Sequence, residues 1–123
     1  MPYTMEYLEE EGICLITNTD VFTHADFMKQ ALEALEVSQR KKCDKFLVDC
    51  TSMTVQSRTM DIYATSAYYA EIGAPRKNQI ALVAPTGTKT EEDLRFYETV
   101  CINRGWQVKM FADKESAMQW FRD

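Results

Sequence analysis

The stretch that decides the fold is Phe46-Leu47-Val48-Asp49-Cys50, followed by Thr51-Ser52-Met53-Thr54-Val55-Gln56-Ser57 and a helical run through Ile72. A short apolar run ending in an acid, then a small polar loop and a helix start, is how a buried strand delivers groups to the rim of an α/β sheet. Phe46 to Cys50 is apolar on both faces, as expected of a strand covered by helices on both sides. The rim after Asp49 is therefore where a working site is expected.

Downstream, Ser57 is placed as the N-cap of a helix from about Ser57 to Ile72, with Asp61 in its first turn. Gly73 ends it at C′ and Pro75 follows. Gln79-Ile80-Ala81-Leu82-Val83-Ala84 is a second buried strand, and Pro85-Thr86-Gly87-Thr88-Lys89 is a loop by composition. Thr90-x-x-Asp93 starts a helix carrying Leu94, Tyr97, Val100 and Cys101 inward and ending at Arg104-Gly105. Val108-Lys109-Met110-Phe111 is the last strand, and Asp113 caps a terminal helix whose Ala117, Trp120 and Phe121 pack down.

Upstream, Tyr3 to Leu8 alternates as a half-buried strand, Gly12 turns the chain, and Ile13 to Thr17 returns to make a hairpin. Asn18-Thr19-Asp20 reads as a loop. Thr23-x-x-Asp26 is a capping box with Asp in place of Glu, opening a helix near His24. Phe27, Met28, Ala31, Leu32 and Leu35 recur on its inner face, and Arg40-Lys41-Lys42 closes it. The order is β-β-α-β-α-β-α-β-α. Strands alternating with helices predict a mostly parallel five-stranded α/β sheet with an antiparallel N-terminal hairpin strand and four helices.

The chain has 123 residues, 46% hydrophobic and 27% charged, which suits one globular domain over 1–123 with a real core. A net charge of -5 excludes the basic footprint that a nucleic-acid backbone demands. The one basic cluster, Arg40-Lys41-Lys42 with Lys45, falls at a helix end, where it complements the helix dipole. Cys14, Cys43, Cys50 and Cys101 are widely spaced and His24 is the single histidine, so no zinc set is formed; neither metal nor cofactor is expected. No run approaches the roughly 18 apolar residues of a membrane span. The start MPYTMEYLEEEG has no signal-peptide pattern, so a cytoplasmic protein is expected.

With these elements in this order, the chain resembles the SpoIIAA-like branch of the STAS superfamily, an architecture shared at a distance with CRAL-TRIO lipid-carrier domains. The resemblance rests on the FLVDC strand, the long helix ending in Gly73, the IALVAP strand, the helix exit CINRGW and the ending VKMFADKESAMQWF. It implies a SpoIIAA-like β-α sandwich. It also implies a phosphorylatable serine in the strand-to-helix loop, which here reads Val55-Gln56-Ser57-Arg58-Thr59, without the family's preceding Asp and following Gly. A phosphate on Ser57 at a helix N-terminus would be well placed and could pair with Arg58, but simple capping by Ser57 is preferred.

Other residues carry chemistry only weakly. Asp49 is read as an acceptor for the amides of Thr51, Ser52 or Met53 rather than as a catalytic acid. Thr86 to Thr90 lacks the spacing of a phosphate-binding loop. Met53, Met60, Tyr63, Tyr68 and Tyr69 form a Met- and Tyr-rich segment that serves either the core or a ligand pocket. His24 with Asp26 and a distant cysteine makes a nucleophile pair only if folding assembles it.

The expectation is a non-enzymatic regulatory or binding module. It acts through a protein partner, or through a small apolar or anionic ligand, at the C-terminal strand ends near Asp49, Ser52, Met53, Ser57, Arg58 and Tyr63. A homodimer is also expected. The alternative is a small hydrolase or transferase using Asp49 or a cysteine.

Overall fold

The computed structural model describes residues 2–56 and 59–123. The strands are β1 (Tyr3–Leu8), β2 (Ile13–Thr23), β3 (Lys45–Gln56), β4 (Gln79–Val83) and β5 (Gln107–Phe111). The helices are α1 (His24–Lys41), α2 (Thr59–Glu71), α3 (Lys89–Asn103) and α4 (Lys114–Arg122). They form one five-stranded sheet in the order β1-β2-β3-β4-β5, antiparallel between β1 and β2 and parallel elsewhere. Gly12, at φ 69°, closes the hairpin with its N–H on the Leu8 carbonyl at 2.8 Å.

Each parallel connection steps one strand across in the same direction. Right-handed crossovers therefore put α1, α2 and α3 on one face of the sheet. The main core lies there, built from Cys14, Ile16, Phe46, Val48, Cys50 and Leu82 under Phe22, Leu94 and Tyr97. α4 folds back onto the other face, over β3, β4 and β5, where Ala117 and Phe121 cover Ile13, Leu47, Ala81 and Val83. Alternation along β3 explains why that strand is apolar on both sides.

The caps follow the sequence at three helices. Thr23 and Asp26 make both bonds of a capping box, Asp113 accepts from the Ser116 amide at 2.8 Å, and Gly73 takes φ 78° just beyond α2. α3 begins two residues earlier than expected. Its N-cap is Thr88, whose hydroxyl accepts from the Glu91 amide. Thr90 is instead buried, accepting from the Val55 amide at 3.3 Å.

Two expected loops are strand. β2 runs on through Asn18-Thr19-Asp20, and β3 runs through Thr51 to Gln56, because the two extensions pair with each other from Thr19↔Ser52 to Thr23↔Gln56. The register shifts there, with Cys50 and Thr51 opposing the single residue Asn18, which is a β-bulge. Polar residues hid this strand, since its open face needs no apolar side chains. One helix face also differs. Leu32 is 49% exposed, and α1 turns Gln30, Ala31 and Ser38 inward.

Candidate functional site

Among the described residues, those expected to share a site are not brought together. Asp49 lies on the α4 side of the sheet, in the middle of β3 rather than at its end. Its carboxylate accepts from the Thr51 amide at 3.0 Å and the Thr51 hydroxyl at 2.7 Å, and Lys114 Nζ sits at 3.4 Å. Burial works to raise its pKa, but the Thr51 hydrogen bonds and Lys114 outweigh it and hold the carboxyl below the usual carboxylate range. Met53 is buried in the main core on the opposite face. Ser52 is exposed on the strand. Tyr63 is 47% exposed on α2, edge-on to Phe96 at 5.4 Å. The pleat and the sheet separate them, since neighbouring side chains on a strand point to opposite faces. Ser57 and Arg58, the phosphorylation candidate and its partner, lie outside the described residues.

The other candidate chemistry is engaged locally. In the loop before α3, Glu91 Oε1 takes the Gly87 amide at 3.0 Å and Lys89 pairs with Asp93 at 3.0 Å, so this stretch holds carboxylates of its own. His24 Nδ1 lies 3.2 Å from Thr65 Oγ1, with no cysteine bonded to it among the described residues. All four cysteines are free and buried. Burial pushes the thiols of Cys14, Cys50 and Cys101 up to about 12, away from the thiolate a nucleophile needs. Among the described residues no group of three His, Cys, Asp or Glu is placed to hold a metal, and no helix is long and apolar enough to cross a membrane.

What the fold does build is a cavity of about 70 Å³ on the helix-covered face, beneath α1. Ile16, Phe46, Val48, Ile80 and Leu82 form its floor. Phe27, Ala31, Ala34 and Leu35 of α1 form one wall, and Tyr69, Tyr97, Leu94 and Trp106 form the other. The half-buried Ala34, Leu35, Ala74 and Pro75 rim it, toward the N-terminal ends of β4 and β5. This is the opposite end from the one the sequence favoured. Of the described side chains in the Met- and Tyr-rich segment, Tyr69 alone lines it.

Among the described residues no lining side chain is charged. Four of its polar side chains are tied to one another. Gln30 Nε2 donates to Asn18 Oδ1 at 2.7 Å, Asn18 Nδ2 lies 3.8 Å from Cys50 Sγ, and the Tyr69 and Tyr97 hydroxyls are bonded together. The bulge places Asn18 here, on the inner face under Gln30. Sequence reading missed Asn18, Gln30, Asn78 and Trp106. The one available signal was Gln30, a polar residue on the inner stripe of a helix.

No protein-family model matches this chain, and neither does any curated protein. Solved structures do. The anti-sigma factor antagonist SpoIIAA in its unphosphorylated form aligns with a TM-score of 0.56 at 10% identity, covering 98% of this chain and 97% of that one. An uncharacterized protein of the DUF3478 family with a SpoIIAA-like fold, from Shewanella loihica PV-4, aligns with a TM-score of 0.59 at 18% identity, covering 96% of this chain and 90% of that one. The chain has the α/β SpoIIAA-like fold: a five-stranded mixed sheet with an antiparallel N-terminal hairpin and four helices.

Proposed function

We propose that this chain is a non-catalytic regulatory module that takes a small apolar molecule into the cavity beneath α1 and acts on a protein partner. The observation that carries the reading is the cavity itself, apolar in its floor and walls and free of charge. Ligand sites have this character: mostly hydrophobic lining with a few placed polar groups. Its size is about half that of an engineered cavity of about 150 Å³ that holds benzene. It suits a small molecule or the end of a chain, not a whole lipid. The absence of a lining cation favours an apolar ligand over an anionic one.

The regulatory half is supported by likeness of fold to a protein described as an anti-sigma factor antagonist. The non-catalytic half is supported by the raised thiols and by an Asp49 already satisfied by Thr51 and Lys114. Exposed Tyr63, edge-on to Phe96, belongs to the surface offered to a partner.

Two measurements test the ligand site. Native mass spectrometry of freshly purified protein should show mass that is lost on denaturation. Xenon, followed by NMR, should enter the cavity and shift methyl resonances of Ile80 and Leu82. A clean apo mass together with no xenon uptake would sink the cavity as a binding site.

A further inference from the structure

Two residues of the cavity each carry a buried polar atom with no partner among the described residues, and they stand at the starts of neighbouring strands. Asn78 and Trp106 are the residues immediately before β4 and β5, and the first residues of those strands, Gln79 and Gln107, are paired in register. Residues one step before a paired position stand next to each other, on strands about 4.8 Å apart. Alternation puts both on the helix-covered face with Ile80 and Leu82, and both line the cavity. Asn78 Oδ1 and Trp106 Nε1 are each buried and unbonded, and Trp106 is only 7% exposed. Both residues line the same cavity, and each carries a polar atom, one an acceptor and one a donor, that is buried without a partner among the described residues.

The indole is held in this orientation. The Arg76 guanidinium lies over its face at 4.2 Å, and the Tyr69 ring meets it edge-on at 5.7 Å. Arg76 is itself anchored, donating from Nε to the Arg104 carbonyl at 3.2 Å, while its own carbonyl accepts from Gln107 Nε2 at 3.1 Å. Leaving a buried N–H unmet is costly, so a group clamped in that state is a preformed point of recognition.

We infer that the cavity takes a small neutral molecule with an apolar body and one group that both accepts and donates a hydrogen bond, a primary carboxamide or an alcohol. Its acceptor meets Trp106 Nε1 and its donor meets Asn78 Oδ1. This rests on the reading of the cavity as a ligand site. A carboxylate of the same shape has no proton for Asn78 Oδ1, and no cationic side chain is among the described residues that line the cavity, Arg76 lying over the indole outside that lining. Isobutyramide, methyl isopropyl ketone and isobutyrate are near-isosteric probes that separate these cases: donor and acceptor, acceptor only, and anionic acceptor.

The Trp106 indole N–H is followed by heteronuclear NMR and assigned with Trp106→Phe, leaving Trp120 as the internal control. Isobutyramide should shift it saturably, in the millimolar range expected of so small a ligand. Isobutyrate should leave it in place at the same concentration and about pH 7. In Asn78→Leu, the preference for isobutyramide over the ketone should fall about tenfold. Where that variant does not fold, the comparison on the unaltered protein decides: the amide must bind at least as tightly as the less hydrated ketone. If isobutyrate binds as well as the amide, or xenon enters while the amide leaves the indole unmoved, the polar assignment is overturned and the cavity reading stands. A water held between Asn78 and Trp106 would give that second result. If neither xenon nor the amide enters, both readings fall.

Discussion

The hydroxyls of Tyr69 on α2 and Tyr97 on α3 are hydrogen-bonded to each other in the wall of the cavity, joining two helices across 28 positions of sequence. Burial pushes both phenols above the ordinary range, so both stay protonated, and one donates while the other accepts. Tyr97→Phe should destabilise the fold by about 1–3 kcal/mol, because it strands the Tyr69 hydroxyl in an apolar wall. Replacing both tyrosines by phenylalanine should cost clearly less than the two single changes summed. Urea denaturation of the four proteins measures this, and strict additivity would refute the coupling.

Asp49 contributes stability with a defined pH dependence. Its folded carboxyl titrates below the usual carboxylate value, so its contribution is complete above about pH 4 and is lost as pH falls through the lower, folded value. Lys114 is 54% exposed, so its share is screened and the two Thr51 bonds dominate. Asp49→Asn should cost about 1 kcal/mol at about pH 7 and less at about pH 2.5. Denaturant midpoints at the two pH values check it; an equal cost at both would rule the carboxylate out as the source.

The capping box of α1 should be worth a measurable amount by itself. Asp26 Oδ2 accepts from the Thr23 amide at 2.9 Å, and Thr23 Oγ1 accepts in return from the Asp26 amide at 3.3 Å. Thr23→Ala should lower stability by about 1 kcal/mol, and Thr23→Ser should retain most of it. A thermal melt of both variants is sufficient, and a serine variant as weak as the alanine one would point to lost packing of the methyl group instead.

The thiols should be inert in the folded protein. With Cys14, Cys50 and Cys101 raised by burial, alkylation by iodoacetamide at about pH 7 should run at least about a hundredfold slower than for free cysteine. Unfolding should release all four. A single thiol reacting at the free rate would restore the nucleophile reading set aside above.

The amino-acid sequence alone determined the order of the elements, the caps at Thr23, Asp113 and Gly73, and the burial of Phe46 to Cys50. These are local matters: side-chain period, capping chemistry and positive φ are set by residues a few positions apart. The extension of β2 and β3 through Asn18 and Thr51 was invisible, because those segments hold their strand form only by pairing with each other. The cavity was invisible for a related reason. Asn78 and Trp106 are 28 positions apart, and only the parallel register of β4 and β5 makes them neighbours. Asn18, Gln30 and Cys50 meet only because a bulge turns one of them beneath a helix. Side chains from three strands and three helices, with the residues just before β4 and β5, converge on one cavity, and no spacing along the chain records a convergence that packing creates.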